Sequence, residues 1–270
     1  MEQNIKLILV GLLITFMLCS FKKNEKFTTT SLNSAKPMKK GVAMITIQPY
    51  GGLCNYLRTI FSYYAYTRKN NLELNVIWIK NSSCPGYFLD YFEPIPHVSF
   101  KKQVDKDVKI DYKGHNGKEN VPPKYDKLKL KSYMKKIIFD KLNILNKKYI
   151  SVHIRRTDHM KLAKDNNNYT HDKEFIDFLD KSDNNKNIYI ATDNEITYNK
   201  FKKKYPNRIK FNYHKKNKDI VGPQGSKIET MRQTPLQDAI IDIYMCVYSD
   251  DFMGSGWSSF SQLIKSLRNL

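Results

Sequence analysis

The sequence is short of acidic side chains and of the compact motifs that announce a chemistry. Asp and Glu number 26 against 46 Lys and Arg, a formal charge of +20. The basic residues are mostly lysine, scattered or in runs such as Lys101-Lys102, Lys135-Lys136 and Lys202 to Lys204. Nucleic-acid surfaces interleave arginine with aromatics on one element, and no zinc-finger, RNA-recognition or helix-turn-helix signature is present. Nucleic acid is therefore not an expected partner, although the charge keeps such a binder as a rival; anionic ligands or membrane surfaces fit better. The four cysteines form no C-x-x-C pair, so the zinc signal is missing. Cys54 and Cys84 pair if the chain enters an oxidising lumen, or stay as buried thiols. Gly-x-Ser-x-Gly, His-Glu-x-x-His and the P-loop are absent. Gly51-Gly52 does not supply the Gly-x-Gly-x-x-Gly that hydride chemistry wants after a first strand. No metal is expected: Asp105-Lys106-Asp107 follows no apolar strand and reads as a solvated charge run.

Long apolar runs are also missing. Leu7 to Phe21 is shorter than the ~20 residues of an average membrane span, has no Ala-x-Ala-like site after it, and is followed at once by Lys22 and Lys23. It reads as an uncleaved signal anchor, which makes the chain a single-pass membrane protein of the secretory pathway. Its orientation stays open. Lysines denser after the segment favour a cytosolic bulk, whereas Asn81-Ser82-Ser83 and Asn168-Tyr169-Thr170 fit glycosylation in a lumen. The expected division is an anchor over 1–21, a polar stem over 22–40, an N-terminal α/β lobe with an irregular bridge over 41–146, and a C-terminal lobe over 147–270.

What is there is a chain 41% apolar and 13% aromatic, able to bury a core. The patterning predicts a strand over Gly41 to Ile47, a glycine turn, a helix over Asn55 to Asn70 and a strand over Leu74 to Ile79. Asn81 to Pro96 is loop-like, and Phe100 to Asn146 is weakly patterned until a helix over Tyr133 to Leu145. From Tyr149 strands and helices alternate: strands at Tyr149 to Ile154, Ile188 to Ala191, Arg208 to Asn212 and Asp251 to Gly254, helices around Lys173 to Leu179, from Glu195, over Pro235 to Tyr248 and over Ser258 to Leu267. Such alternation predicts a parallel, doubly wound sheet in the C-terminal lobe and an α/β fold of two Rossmann-like lobes.

Three strand-end turns are the candidate site, because ligands of open α/β sheets sit beyond the carboxyl ends of the strands. The first is Tyr50-Gly51-Gly52-Leu53-Cys54-Asn55, where glycines allow close backbone approach and helix-start amides favour an anion. The second is Ile150-Ser151-Val152-His153-Ile154-Arg155-Arg156-Thr157-Asp158. Side chains alternate along a strand, so His153 and Arg155 share one face and Ile154 and Arg156 the other. Two arginines ending a buried strand need an anion on at least one face; a structural strand end with one buried ion pair fits the same pattern. The third is Gly254 to Ser261, where Ser258 either caps a helix, serves a ligand, or does both. Asp242, mid-helix among isoleucines, needs donors, which a guanine edge or a protein arginine supplies.

In these residues the chain resembles the GT-B-type fucosyltransferases, the superfamily of protein O-fucosyltransferases, core N-glycan fucosyltransferases and nodulation fucosyltransferases. Gly51-Gly52-Leu53-Cys54-Asn55 is similar to their Gly-Gly-x-x-Asn loop, and His153-Ile154-Arg155-Arg156-Thr157-Asp158 to their His-x-Arg-Arg-x-Asp motif. Ile188 to Asp193 and the stretch from Asp242 through Asp251 to Ser261 resemble their later motifs. The resemblance implies a GT-B-like fold and inverting transfer of fucose from GDP-fucose to a glycan or protein acceptor without a metal or other cofactor. In it Arg155 holds the β-phosphate, His153 and Asp242 contact ribose or guanine, Ser258 and Ser259 donate to phosphate, and Gly51, Gly52 and Asn55 lie by the diphosphate and the reacting carbon. The glutamate of the core enzymes' presumed base system is missing after the motif, which leaves Asp158 and Asp165 as base candidates. A same-fold transferase with another nucleotide sugar and a non-catalytic glycan- or protein-binding module remain the alternatives.

Overall fold

The structure, a computed structural model, describes residues 43–156, 160–213 and 235–270. The expected anchor and stem, and Asp158 with its neighbours, lie outside the described residues. Among the described residues no helix is long and apolar enough to cross a membrane.

The first half forms a parallel four-stranded sheet in the order β3-β2-β1-β4. β1 (Met44–Pro49) leads into α1 (Leu53–Lys69), which returns to β2 (Glu73–Ile77). α1 buries Leu53, Leu57, Ile60, Phe61 and Tyr64, the stripe of an amphipathic helix. Arg68 and Lys69 close its last turn, where cations suit the helix dipole. Three elements go beyond the sequence reading. α2 (Phe88–Tyr91) and β3 (Val98–Lys101) fall in or beside the expected loop, and β4 (Tyr112–Gly114) lies inside the expected irregular bridge. β4 has no apolar alternation to reveal it; pairing with Ile47 to Pro49 makes it a strand. α3 (Ser132–Ile144) follows as expected.

The second half is a parallel sheet in the order β6-β5-β7. It comprises β5 (Tyr149–Ile154), α4 (Met160–Asp165), α5 (Asp172–Lys181), β6 (Asn187–Thr192), α6 (Glu195–Lys204), α7 (Leu236–Val247), β7 (Asp251–Gly254) and α8 (Ser259–Arg268). The expected strand over Arg208 to Asn212 is a correction: only Ile209 joins the sheet, by a single parallel bridge to Ile188. Arg208 instead spends its guanidinium on the carbonyls of Leu179, Asp183 and Lys186.

Every residue of β5 is buried, and its two faces serve different cores. Ile150, Val152 and Ile154 pack with Phe175, Leu179, Tyr198 and Phe201 of α5 and α6, each such side chain contributing about 1.5–3 kcal/mol on burial. Tyr149, on the opposite face, joins a core that runs through α7 and α8 into α1, β1 and β2. Helices thus cover both faces of the second sheet. One core is continuous across the two sheets.

Candidate functional site

The alternation along β5 continues past its end and separates the two arginines. Register pairs His153 with Ala191 and Ile154 with Thr192, so the next residue, Arg155, comes beside Asp193. Its Nε lies 3.0 Å from Asp193 Oδ2, with Arg155 about one-third exposed (34%) and the carboxylate buried (3%). The other Asp193 oxygen accepts from the Arg156 backbone N–H at 2.8 Å. Arg156 turns to the opposite face, where its side chain is 9% exposed. Its Nε and Nη2 donate to Asp172 Oδ1 at 3.2 and 2.7 Å, Nη2 also to the Thr170 carbonyl at 2.8 Å. The rings of Tyr169 and Phe175 flank it. Burial works against the charge on Asp172, but hydrogen bonds from Lys200 and Arg156 outweigh it and hold the carboxyl below its ordinary range. Arg156 is therefore a brace inside the lobe, and Arg155 is the cation at the cleft.

The serine turn is held against β5 by hydroxyls. Ser255 Oγ accepts from the Arg155 backbone N–H at 2.9 Å. Ser261 Oγ meets His153 Nδ1 at 2.7 Å, and the imidazole stacks on Phe260 at 4.5 Å. His153 is 4% exposed, so it lies beneath the surface of the site and supports it. Ser258 is buried and caps α8, its Oγ accepting from the Ser261 N–H at 3.4 Å; a hydroxyl that accepts there keeps its own proton to donate. Ser259 is half-buried at the first position of the helix. The turn is closely packed from outside: the Gly256 N–H donates to Thr170 Oγ1 at 2.9 Å, and a β-carbon at Gly256 would stand 2.1 Å from the Asn168 carbonyl oxygen.

The Gly51-Gly52 loop ends the neighbouring sheet. Gly51 has φ +92°, a left-handed conformation that favours glycine. Gly52 is the N-cap of α1 and no side chain caps that end, while the first turn carries no acid, an arrangement that suits an anion. Asn55 is half-buried, and its Oδ1 accepts from Arg58 Nη2 at 3.0 Å. α1, which this loop opens, packs against α8, which the serine turn opens. Burial pushes the Cys54 thiol up to about 12, and the guanidiniums of Arg155 and Arg58 pull the other way. Cys54 and Cys84 are both buried free thiols.

Asp242 is 4% exposed and accepts from the Tyr189 hydroxyl at 2.6 Å. It forms one wall of a recess at the free edge of β6, shared with Tyr198, Phe211 and Tyr213. An aromatic recess with one buried carboxylate suits a flat ring that presents N–H groups.

Gly51, Gly52 and Asn55 thus lie between the end of β1 and the first turn of α1, His153, Arg155, Ser258 and Ser259 around the ends of β5 and β7, and Asp242 in the recess beside β6. Of the base candidates, Asp158 lies outside the described residues and Asp165 is exposed at the end of α4. Asp105 and Asp107 are exposed, and Asp105 pairs with Lys101. Among the described residues no three His, Cys, Asp or Glu side chains gather as for a metal ion. Sequence reasoning gave no individual role to Asp193, Ser255 or Ser261, although each lies in a stretch it singled out, and it passed over Arg58, which left no signal beyond proximity to the Gly51-Gly52 loop.

The family model described as GDP-fucose protein O-fucosyltransferase matches residues 127–270. A crystal structure of the NodZ alpha-1,6-fucosyltransferase soaked with GDP-fucose superposes with a TM-score of 0.56 at 14% identity, covering 84% of this chain and 92% of that one. The fucosyltransferase NodZ from Bradyrhizobium gives 0.55 at 13%, covering 83% and 92%. The same enzyme co-crystallised with GDP gives 0.51 at 13%, again covering 83% and 92%. At such identities the likeness is one of fold. No curated protein matches the chain.

Proposed function

The chain belongs to the GDP-fucose protein O-fucosyltransferase family and is a glycosyltransferase, and from that premise we propose that its cleft transfers fucose from GDP-fucose to a hydroxyl of a glycan or protein, with inversion and without a metal. The acceptor oxygen forms a bond to the anomeric carbon as the bond from that carbon to the β-phosphate oxygen breaks. The electron pair leaves with the diphosphate, and the acceptor proton passes to a base. The growing negative charge on the leaving group is what fixed donors and cations stabilise most. Arg155, the uncapped start of α1 and the hydroxyls of Ser258 and Ser259 are placed to meet it. The Asp242 recess takes the guanine, whose N–H edge matches a carboxylate.

The observation that carries this reading is the division between the two arginines. Arg156 is consumed by Asp172 inside the lobe, while Arg155, one-third exposed, stays at the strand end. Thermal-shift titration of the purified protein with GDP, UDP and CMP is the test. GDP should stabilise it most; stabilisation by UDP or CMP over GDP would hand the site to another nucleotide sugar. A protein that binds glycans yet neither binds GDP nor turns over GDP-fucose would make it a binding module instead. Attachment through Leu7 to Phe21 to a membrane of the secretory pathway is part of the same proposal and rests on the sequence.

A further inference from the structure

We propose that Arg58 is a second cation for the leaving diphosphate, facing it from the first sheet while Arg155 faces it from the second; this rests on the nucleotide-sugar reading above. Arg58 lies on α1 one turn after Asn55. Its Nε and Nη2 donate to the His115 carbonyl at 3.0 and 2.8 Å, and Nη2 also to Asn55 Oδ1 at 3.0 Å. His115 directly follows β4, at the same carboxyl edge as Tyr50, and the two rings meet edge-on at 5.0 Å. These bonds fix the guanidinium at the ligand edge of the sheet. They also orient Asn55: with Oδ1 engaged by Arg58, the amide offers Nδ2 as a donor.

Other described arginines have their charge or their donors answered within the fold. Arg155 pairs with Asp193, Arg156 with Asp172 and Arg68 with Glu73. Arg208 and Arg268 spend both terminal nitrogens on backbone carbonyls and side-chain oxygens. Arg58 differs. Among the described residues it has no carboxylate partner, and its Nη1 makes no hydrogen bond there. A half-buried guanidinium, held rigid, with one open nitrogen and no counter-charge, is built for an external anion. Its place relative to Arg155 follows from packing: α1, which carries Arg58, lies against α8, and the serine turn that opens α8 is bonded to the Arg155 backbone. The plainer role for Arg58, a tie between α1 and the end of β4, predicts no selectivity among ligands.

Calorimetric titration of wild type, Arg58→Met and Arg58→Lys with GDP and with guanosine tests the proposal. Wild type should prefer GDP. Arg58→Met should lose about 10-fold to 100-fold in GDP affinity, the range of a charge-assisted hydrogen bond, and keep its guanosine affinity. Arg58→Lys keeps a charge on the same position without the fork and serves where the methionine variant does not fold; its GDP affinity should fall while guanosine binding holds. Equal losses for both ligands, or loss for neither, overturn the role of Arg58. A wild type with no preference for GDP overturns the nucleotide-sugar reading instead.

Discussion

Adjacent residues Arg155 and Arg156 should separate ligand binding from stability. Arg156→Met removes the guanidinium and keeps much of the apolar stem. Lost with it are the bonds to Asp172, to the Thr170 carbonyl and, at 2.8 Å, to the Arg155 carbonyl. Breaking a buried ion pair by removing one partner costs about 3–5 kcal/mol. Asp172 is 28% exposed and keeps Lys200, so the lower end, about 3 kcal/mol, applies. For a chain of this size that lowers Tm by about 6–12 °C. The deficit is pH-dependent with a defined sign. The Asp172 pKa is lowered in the fold, so its contribution is full above the ordinary carboxylate value of ~3.9 and fades as the pH falls through the lowered native value. The Tm gap between wild type and Arg156→Met should therefore close as the pH falls below the ordinary carboxylate range. Arg155 calls for a lysine rather than an alanine, because alanine would strip the ion-pair partner from Asp193, whose side chain is only 3% exposed. Arg155→Lys retains a charge for Asp193 and loses the planar fork. It should melt within about 4 °C of wild type and bind GDP about tenfold more weakly or worse. Scanning calorimetry and GDP titration of both variants decide the matter. If Arg156→Met melts like wild type, or Arg155→Lys binds GDP like wild type, the division of labour is wrong.

Gly256→Ala should destabilise the serine turn by about 1–3 kcal/mol, since its β-carbon would meet the Asn168 carbonyl oxygen at 2.1 Å and that neighbour is backbone; an unchanged melting curve would show that the turn has room. Cys54, whose thiol burial pushes up to about 12, should resist iodoacetamide at neutral pH in the folded protein and react once it is unfolded in urea. Rapid labelling of native Cys54 would contradict its placement. Asp242→Asn should erode the preference for GDP over UDP, since the amide offers one acceptor where the carboxylate offers two; a preserved preference would remove Asp242 from base recognition.

Much of this site is legible in the residues because strand geometry is simple. Alternation from Ile150 onward assigns His153 and Arg155 to one face and Arg156 to the other, and their partners differ accordingly: Ser261 and Asp193 for the first two, Asp172 for Arg156. β7, Asp251–Gly254, needs only its apolar centre and the Gly254-Ser255-Gly256 turn that closes it to be found. What escapes is whatever depends on a partner distant in sequence. β4 is a strand only because β1 lies beside it. Asp193 joins the site because register sets it next to Arg155. Arg58 acquires its fixed pose from a carbonyl 57 residues away. Conversely, Arg208 to Asn212 has a strand's composition beside the free edge of β6, yet only Ile209 pairs with it.

Turnover of GDP-fucose tests the central proposal most directly. Purified protein would be incubated with GDP-fucose, or with GDP-mannose as control, over mixed glycan and peptide acceptors, and the products read by mass spectrometry. Release of GDP from GDP-fucose with fucose appearing on an acceptor or in water, absent with GDP-mannose and strongly reduced in Arg155→Lys, is the expected result. No GDP released from GDP-fucose, or release that Arg155→Lys leaves intact, would contradict it.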